Sequence, residues 1–214
     1  MNRNPKTIYF DCFDTWLHIT EPKKYTWMAD ICNVLNIDPS TLKKLLLTTD
    51  KNLYAVLREQ YPEAMYDSAV IDAIAESTHA INTEQASTKL LPWALEVFHT
   101  LDEKWYRMWL ISNISYPYKE CVYGCLPIDL DEILFSCELW YTKTLQNDDY
   151  RIYQLAHSLA WCNKEDILMV WDNYHNDYLA AKNYGFNAIH LDRKNKNIAE
   201  NRISELTDLL LLVQ

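Results

Sequence analysis

Residues 7–16 read TIYFDCFDTW. Thr7, Ile8, Tyr9 and Phe10 form a short β-branched and aromatic run, the composition of a buried strand. The run stops at Asp11, and Asp14 and Thr15 follow. A buried strand with a carboxylate at its tip implies a polar edge, and the remainder of the chain supplies more strand ends of that kind.

Downstream, residues 21–89 show helical periodicity and no clear strand. Tyr25, Met28, Ile31, Cys32 and Leu35 recur at helical spacing. Asp38-Pro39-Ser40 has the chemistry of a helix start and leads into Leu42, Leu45 and Leu46. Leu53, Val56 and Leu57 predict a third helix, and residues 68–81 a fourth. After Pro92 helices and strands alternate. Strands are predicted at 108–111, 133–135, 167–170 and 188–191. Helices are predicted at 94–101, 118–123, 150–159, 178–184 and 203–213. Such alternation implies parallel crossovers, hence an α/β, Rossmann-like core. The helical block then forms an inserted all-helical cap at residues 18–88, with the core at 1–17 and 89–214. Ligands of open parallel sheets bind beyond the carboxyl ends of the strands. Three predicted ends carry polar residues there: Asp11, Ser112 and Asp172.

Bulk properties narrow the function. Hydrophobic residues make up 49% of the 214, enough to bury a sizeable core. The formal net charge is −10 and no basic stripe occurs, which speaks against a nucleic-acid partner. No apolar run is long enough to span a bilayer, so no membrane partner is expected. The first ten residues read as a polar start and a strand, not as a secretion signal. The six cysteines include no CxxC pair, which predicts reduced thiols in a cytoplasmic protein.

Four separated stretches together resemble the motifs of the haloacid-dehalogenase-like (HAD) hydrolases, in the same order. They are YFDCFDTW with Asp11 and Thr15, LISN with Ser112, and SCELWYTKTLQNDDYRIY with Lys143. The fourth is MVWDNYHNDYLAAKNYGFNAIHLDR with Asp172 and Asp177. Each alone has an ordinary alternative: a turn cap, a surface lysine, a helix N-cap. The resemblance implies an Mg²⁺-dependent enzyme, a phosphatase of a small phosphorylated metabolite. Asp11 would be the nucleophile that forms an aspartyl intermediate. Ser112 and Lys143 would stabilise the transferring group, with Thr15 and Asn113 on the substrate. Asp11, the main-chain carbonyl of Phe13, Asp172 and Asp177 would hold the metal through oxygen.

One departure bears on the chemistry. Phosphatases of the superfamily usually read D-x-D-G-T, the second aspartate protonating the leaving oxygen. Here Phe13 holds that position and Asp14 falls one place late, as in branches with D-x-F-D-T. Dehalogenases also carry an aromatic residue there and need no acid, but typically lack the acidic pair kept here as Asp172 and Asp177. A 2-haloacid dehalogenase-type hydrolase and a non-catalytic binding module of the same fold stay open.

The chain has 2 glycines and 8 tryptophans, against the roughly 7% glycine of ordinary proteins. Relatives commonly have glycine where this chain has Trp93, Trp105, Trp109, Trp140, Trp161 and Trp171. Trp16 and Trp27 carry no such expectation. Trp161, after a helical run, stands where a left-handed C-cap is expected. The pattern is that of a gene that encodes glycine with UGA, translated with UGA as tryptophan. A tryptophan-rich homologue is the alternative.

Overall fold

All four residues of β1 (Thr7–Phe10) are buried because this strand has a partner on each edge and packed layers on both faces. In the computed structural model, which describes residues 5–22, 26–143, 150–194 and 200–213, β1 pairs in parallel with β4 (Arg107–Ser112) and β6 (Ile167–Trp171). Outside these lie β5 (Glu132–Phe135), β7 (Asn187–Leu191) and β8 (Arg202–Ile203), in the order β5-β4-β1-β6-β7-β8, with every pairing parallel. The chain moves out from β1 to β5 on one side and returns to β6 on the other. That reversal opens a crevice at the carboxyl end of β1.

Side chains alternate across the sheet, so each strand feeds two cores. Ile8, Phe10, Leu110 and Val170 pack with Val97 and Phe98 of α5 (Ala94–Glu103). Tyr9, Ile111, Met169 and Trp171 pack on the other face with α8 (Arg151–Ala160) and α9 (Leu179–Tyr184). Short helices α6 (Lys119–Gly124) and α7 (Ser136–Leu139) link the strands on the β5 side. The α/β core with helices on both faces agrees with the sequence reading.

The insert is helical, as expected: α1 (Thr26–Leu35), α2 (Pro39–Leu47), α3 (Leu53–Gln60) and α4 (Ser68–Ala86). Asp38, Asn52 and Asp67 cap the last three by accepting from backbone amides two or three residues on. Tyr25 lies outside the described residues. The periodicity does not reveal the stem: β2 (Leu17–Ile19) and β3 (Thr88–Leu90) form an antiparallel ribbon where the insert leaves and rejoins the core. Both ends must run side by side there, and pairing satisfies their backbone groups. Residues 203–213 also differ from the single helix expected. Ile203 pairs with Leu191, and Asp208 accepts from the amides of Ser204 and Glu205, so α10 (Leu209–Leu212) starts afresh. No helix among the described residues is long and apolar enough to cross a membrane. The six cysteines form no disulfide.

Six non-glycine residues among those described have a left-handed backbone, and four are tryptophans: Trp93 (φ 65°), Trp105 (63°), Trp140 (61°) and Trp161 (53°). A Cβ in this region costs about 1–2 kcal/mol. The other two tryptophans expected at glycine sites, Trp109 and Trp171, are buried inside β4 and β6 without this backbone signature.

Candidate active site

The amide of Asp11 donates to the carbonyl of Val170 at 3.0 Å, so β1 and β6 remain joined one residue past the strand. The chain then tightens. The amides of Thr15, Trp16 and Leu17 all point at the Cys12 carbonyl (3.1–3.3 Å), and Asp14 donates to Leu17 at 2.7 Å. Asp14 itself has φ 57°. This turn leaves Asp11, Phe13 and Asp14 lining a cleft of about 450 Å³ with Ser112, Lys143, Asp172 and Asp177; the insert contributes Trp27, Met28, Lys43 and Leu46.

Asp11, Asp172 and Asp177 can each present an oxygen within 4.8 Å of the others. Lys143 reaches this group from the segment after α7. Its Nζ donates to Asp11 Oδ1 at 2.7 Å and to the Ile111 carbonyl at 3.2 Å, and stands 3.4 Å from Asp177 Oδ1. Its ammonium also lies 4.1 Å from the centre of the Trp171 ring. Burial disfavours the lysine's charge, but Asp11 and Asp177 outweigh it, and its pKa is raised. The pair with Asp177 lies outside hydrogen-bond geometry, so Asp177 Oδ1 is buried without a hydrogen-bond partner. Burial, with repulsion from Asp11 and Asp177, pushes Asp172 up to about 7. Asp177 is likewise pushed up to about 7 by burial and Asp11, against the pull of Lys143.

A close set of carboxylates, Asp11 and Asp177 buried and Asp172 half-buried, with one ammonium among them is short of positive charge. Oxygen-only donors, one of them a buried carboxylate oxygen with no hydrogen bond and only the more distant Lys143 ammonium beside it, fit a hard divalent cation such as Mg²⁺. Without the cation, Asp172 and Asp177 titrate as an interacting pair raised above the ordinary carboxylate range, so the folded protein is expected to hold proton that the unfolded chain has released. Its stability is therefore expected to fall as pH rises from about 4 to about 7 and to level off above. Melting temperatures in a chelating buffer check this, with Asp172→Asn as reference. A gap between the two proteins that does not widen in favour of Asp172→Asn over that window contradicts it.

The remaining sequence candidates are placed unequally. Ser112 is buried at the end of β4 and lines the cleft. Asn113 also lines it, but both ends of its amide engage the Lys143 backbone: Nδ2 donates to the carbonyl (3.0 Å) and Oδ1 accepts from the amide (2.7 Å). It holds the lysine's segment in place. Thr15 is fully buried, does not line the cleft, and its hydroxyl has no partner. Phe13 turns its ring edge-on to Tyr118, 6.1 Å between centres.

Sequence reading missed three supporting groups. His190 Nε2 contacts the Asp172 carbonyl at 2.9 Å. Arg193 donates from Nη1 to the Asp14 carbonyl and from Nη2 to that of Thr15. The hydroxyl of Tyr118, on the cleft wall, donates to Glu84 of α4. His190 and Arg193 sit within the fourth motif, but nothing local in HLDR says what they touch. Residues 144–149 of the third motif lie outside the described residues.

No protein-family model matches the sequence, and no curated protein matches it. Solved structures do. A dehalogenase superposes with a TM-score of 0.62 at 18% identity, over 100% of this chain and 99% of that one. A HAD phosphatase from Thermococcus onnurineus gives 0.64 at 14% identity, over 97% of each. The HAD-hydrolase YfnB from Bacillus subtilis, bound to magnesium, gives 0.63 at 14%, over 98% of this chain and 99% of that one. The chain has the HAD-like fold. The likeness runs along nearly the whole length of the chain, and dehalogenases and phosphatases share the fold at comparable similarity. The HAD-like likeness therefore leaves the reaction to be argued from the cleft.

Proposed function

We propose that the protein is an Mg²⁺-dependent hydrolase of small phosphate monoesters that works through a covalent aspartyl intermediate. The observation that carries this is the grouping of Asp11, Asp172 and Asp177 within 4.8 Å, with Lys143 on Asp11. Asp11 attacks phosphorus, the ester P–O bond breaks, and its electron pair leaves on the alkoxide, which takes up a proton. Water then attacks the phosphorus of the aspartyl phosphate, the bond to Asp11 breaks, and the carboxylate is restored with release of inorganic phosphate. Lys143 holds Asp11 in position and offsets charge on the transferring group, and Ser112 donates a hydrogen bond to it. Asp11, Asp172, the Phe13 carbonyl and, supporting them, Asp177 would hold Mg²⁺, which supplies charge neutralisation on the phosphoryl oxygens. The insert residues over the cleft exclude water and select the substrate.

A second reading, dehalogenation of 2-haloacids by Asp11 without metal, is favoured by Phe13 and by the structural likeness to a dehalogenase. It leaves the mutual repulsion of the three carboxylates without a purpose. Phosphate esters and 2-haloacids assayed with and without Mg²⁺ separate the two. Mg²⁺ is also expected to raise the melting temperature, since a ligand bound only by the folded state stabilises it. At a hundredfold excess over its Kd the gain is about 2.7 kcal/mol, and it should vanish in Asp172→Ala. An Mg²⁺ response that survives this substitution moves the metal elsewhere.

A further inference from the structure

The geometry points to Arg193 as a positioning residue for the turn that follows Asp11, an inference that rests on the hydrolase reading. Arg193 comes two residues after β7, at the far end of the chain, yet its guanidinium takes the carbonyls of Asp14 and Thr15 together, the second at 2.8 Å. Those neighbouring carbonyls belong to the turn in which Asp14 holds a left-handed backbone. Backbone bonds also hold the turn, from the Asp14 amide to the Leu17 carbonyl and from the Thr15, Trp16 and Leu17 amides to the Cys12 carbonyl, but none of these takes up the Asp14 or Thr15 carbonyl, which the arginine does. A planar fork grips two adjacent acceptors at once, which a lysine ammonium does not. Phe13 and Asp14 line the cleft from this same turn, so the arginine sets where both stand relative to Asp11.

Arg193→Ala and Arg193→Lys test this with two readouts. Amide exchange at Asp14 and Leu17 should accelerate at least about tenfold in both variants, a local opening that does not depend on activity. On an aryl phosphate, kcat should fall about 10–100-fold with KM nearly unchanged, since a small misplacement is costly to chemistry. Millimolar guanidinium should restore part of kcat in Arg193→Ala and none in Arg193→Lys. Unchanged exchange overturns the proposal, as does an unchanged kcat, or a lost kcat that guanidinium does not restore. A wild type without turnover overturns the hydrolase reading instead, and exchange still decides the role of the arginine.

A separate observation concerns the four left-handed tryptophans. We infer that in its own host the protein carries glycine at positions 93, 105, 140 and 161, the gene encoding them as UGA. At the end of α5 the Tyr106 amide bonds to Leu101 and the Trp105 amide to Asp102, a Schellman closure whose left-handed position takes glycine. The same closure ends α9: Phe186 bonds to Ala181, Gly185 to Lys182, and there the residue is one of the chain's 2 glycines, at φ 106°. Trp93 stands after Pro92 in a turn closed by the Ala94 amide on Leu91, with φ 65° and ψ −2°. These are the angles of the third residue of a type II turn, a glycine position with proline before it. Trp140 and Trp161 end α7 and α8 in the same left-handed region. None of the four packs its ring away: Trp161 is 88% exposed and Trp105 92%. The backbone demands glycine and the indoles make no core contact that would compensate.

The codons and the molecule both decide. UGA is expected at the four positions, and peptides of the protein isolated from its host should carry glycine there. UGG at these codons, or tryptophan in those peptides, overturns the inference. Made with glycine at all four, the protein should melt at least about 4 °C above the tryptophan form, each relieved site adding roughly 1–2 °C after the glycine's greater unfolded freedom is subtracted. An equal or lower melting temperature removes the backbone argument.

Discussion

Asp11→Asn is expected to lower turnover by at least about 10⁴-fold while the protein stays folded, the scale seen when a covalent nucleophile is removed. An amide of the same shape fills the place of the carboxylate but does not attack phosphorus. Asp11 is 8% exposed and bonded to Lys143 at 2.7 Å, so the isosteric change keeps the packing and removes one of the charges that crowd the site. That has a second consequence. Asp11 raises the pKa of both Asp172 and Asp177. In Asp11→Asn the pH-dependent loss of stability of the metal-free protein should therefore shrink. Turnover within tenfold of wild type sinks the covalent mechanism. Loss of turnover with loss of the folded circular-dichroism spectrum would call for Asp11→Glu, which keeps the charge and misplaces it.

Phe13→Asp is expected to raise activity on alkyl phosphates by about 10²–10⁴-fold and on aryl phosphates far less. An alkoxide leaves poorly without a proton, whereas a phenolate leaves with little help. Phe13 lines the cleft and gives the leaving group no acid; Asp14 lines it too, one residue on. If Asp14 already supplies the proton, Asp14→Asn will damage alkyl esters most and Phe13→Asp will add little. The ratio of alkyl to aryl rates across the three proteins distinguishes these cases. A ratio that moves in neither variant removes the acid step from this turn and strengthens the dehalogenase reading. Asp14 is the harder substitution to interpret, because its backbone is held by Arg193, but its side chain takes no part in that contact.

The alternation of strands and helices after Pro92, and the helical block before it, were legible from hydrophobic period alone, because burial on two sheet faces and on one helix face leaves different spacings. The strand ends at Asp11, Ser112 and Asp172 were legible for the same reason: a buried apolar run has to stop where polar chemistry begins. Lys143 and Asp177 were found through their order along the chain, and the structure brings both against Asp11 or its neighbours. What tertiary structure alone decided is of another kind. Neither the β2–β3 stem nor β8 has a local period, since a strand of two or three residues exists only because a partner lies beside it. Asn113 lines the cleft, and only the fold shows that its side-chain amide also bonds to the Lys143 backbone, a contact 30 residues distant in the chain. Arg193 meets the carbonyls of Asp14 and Thr15 across 179 and 178 residues. The raised pKa values of Asp172 and Asp177 exist only once folding removes water and brings like charges together. Residue types and spacing determined which groups stand at the strand ends; proximity, desolvation and the pairing of distant backbone atoms determined what those groups do to one another.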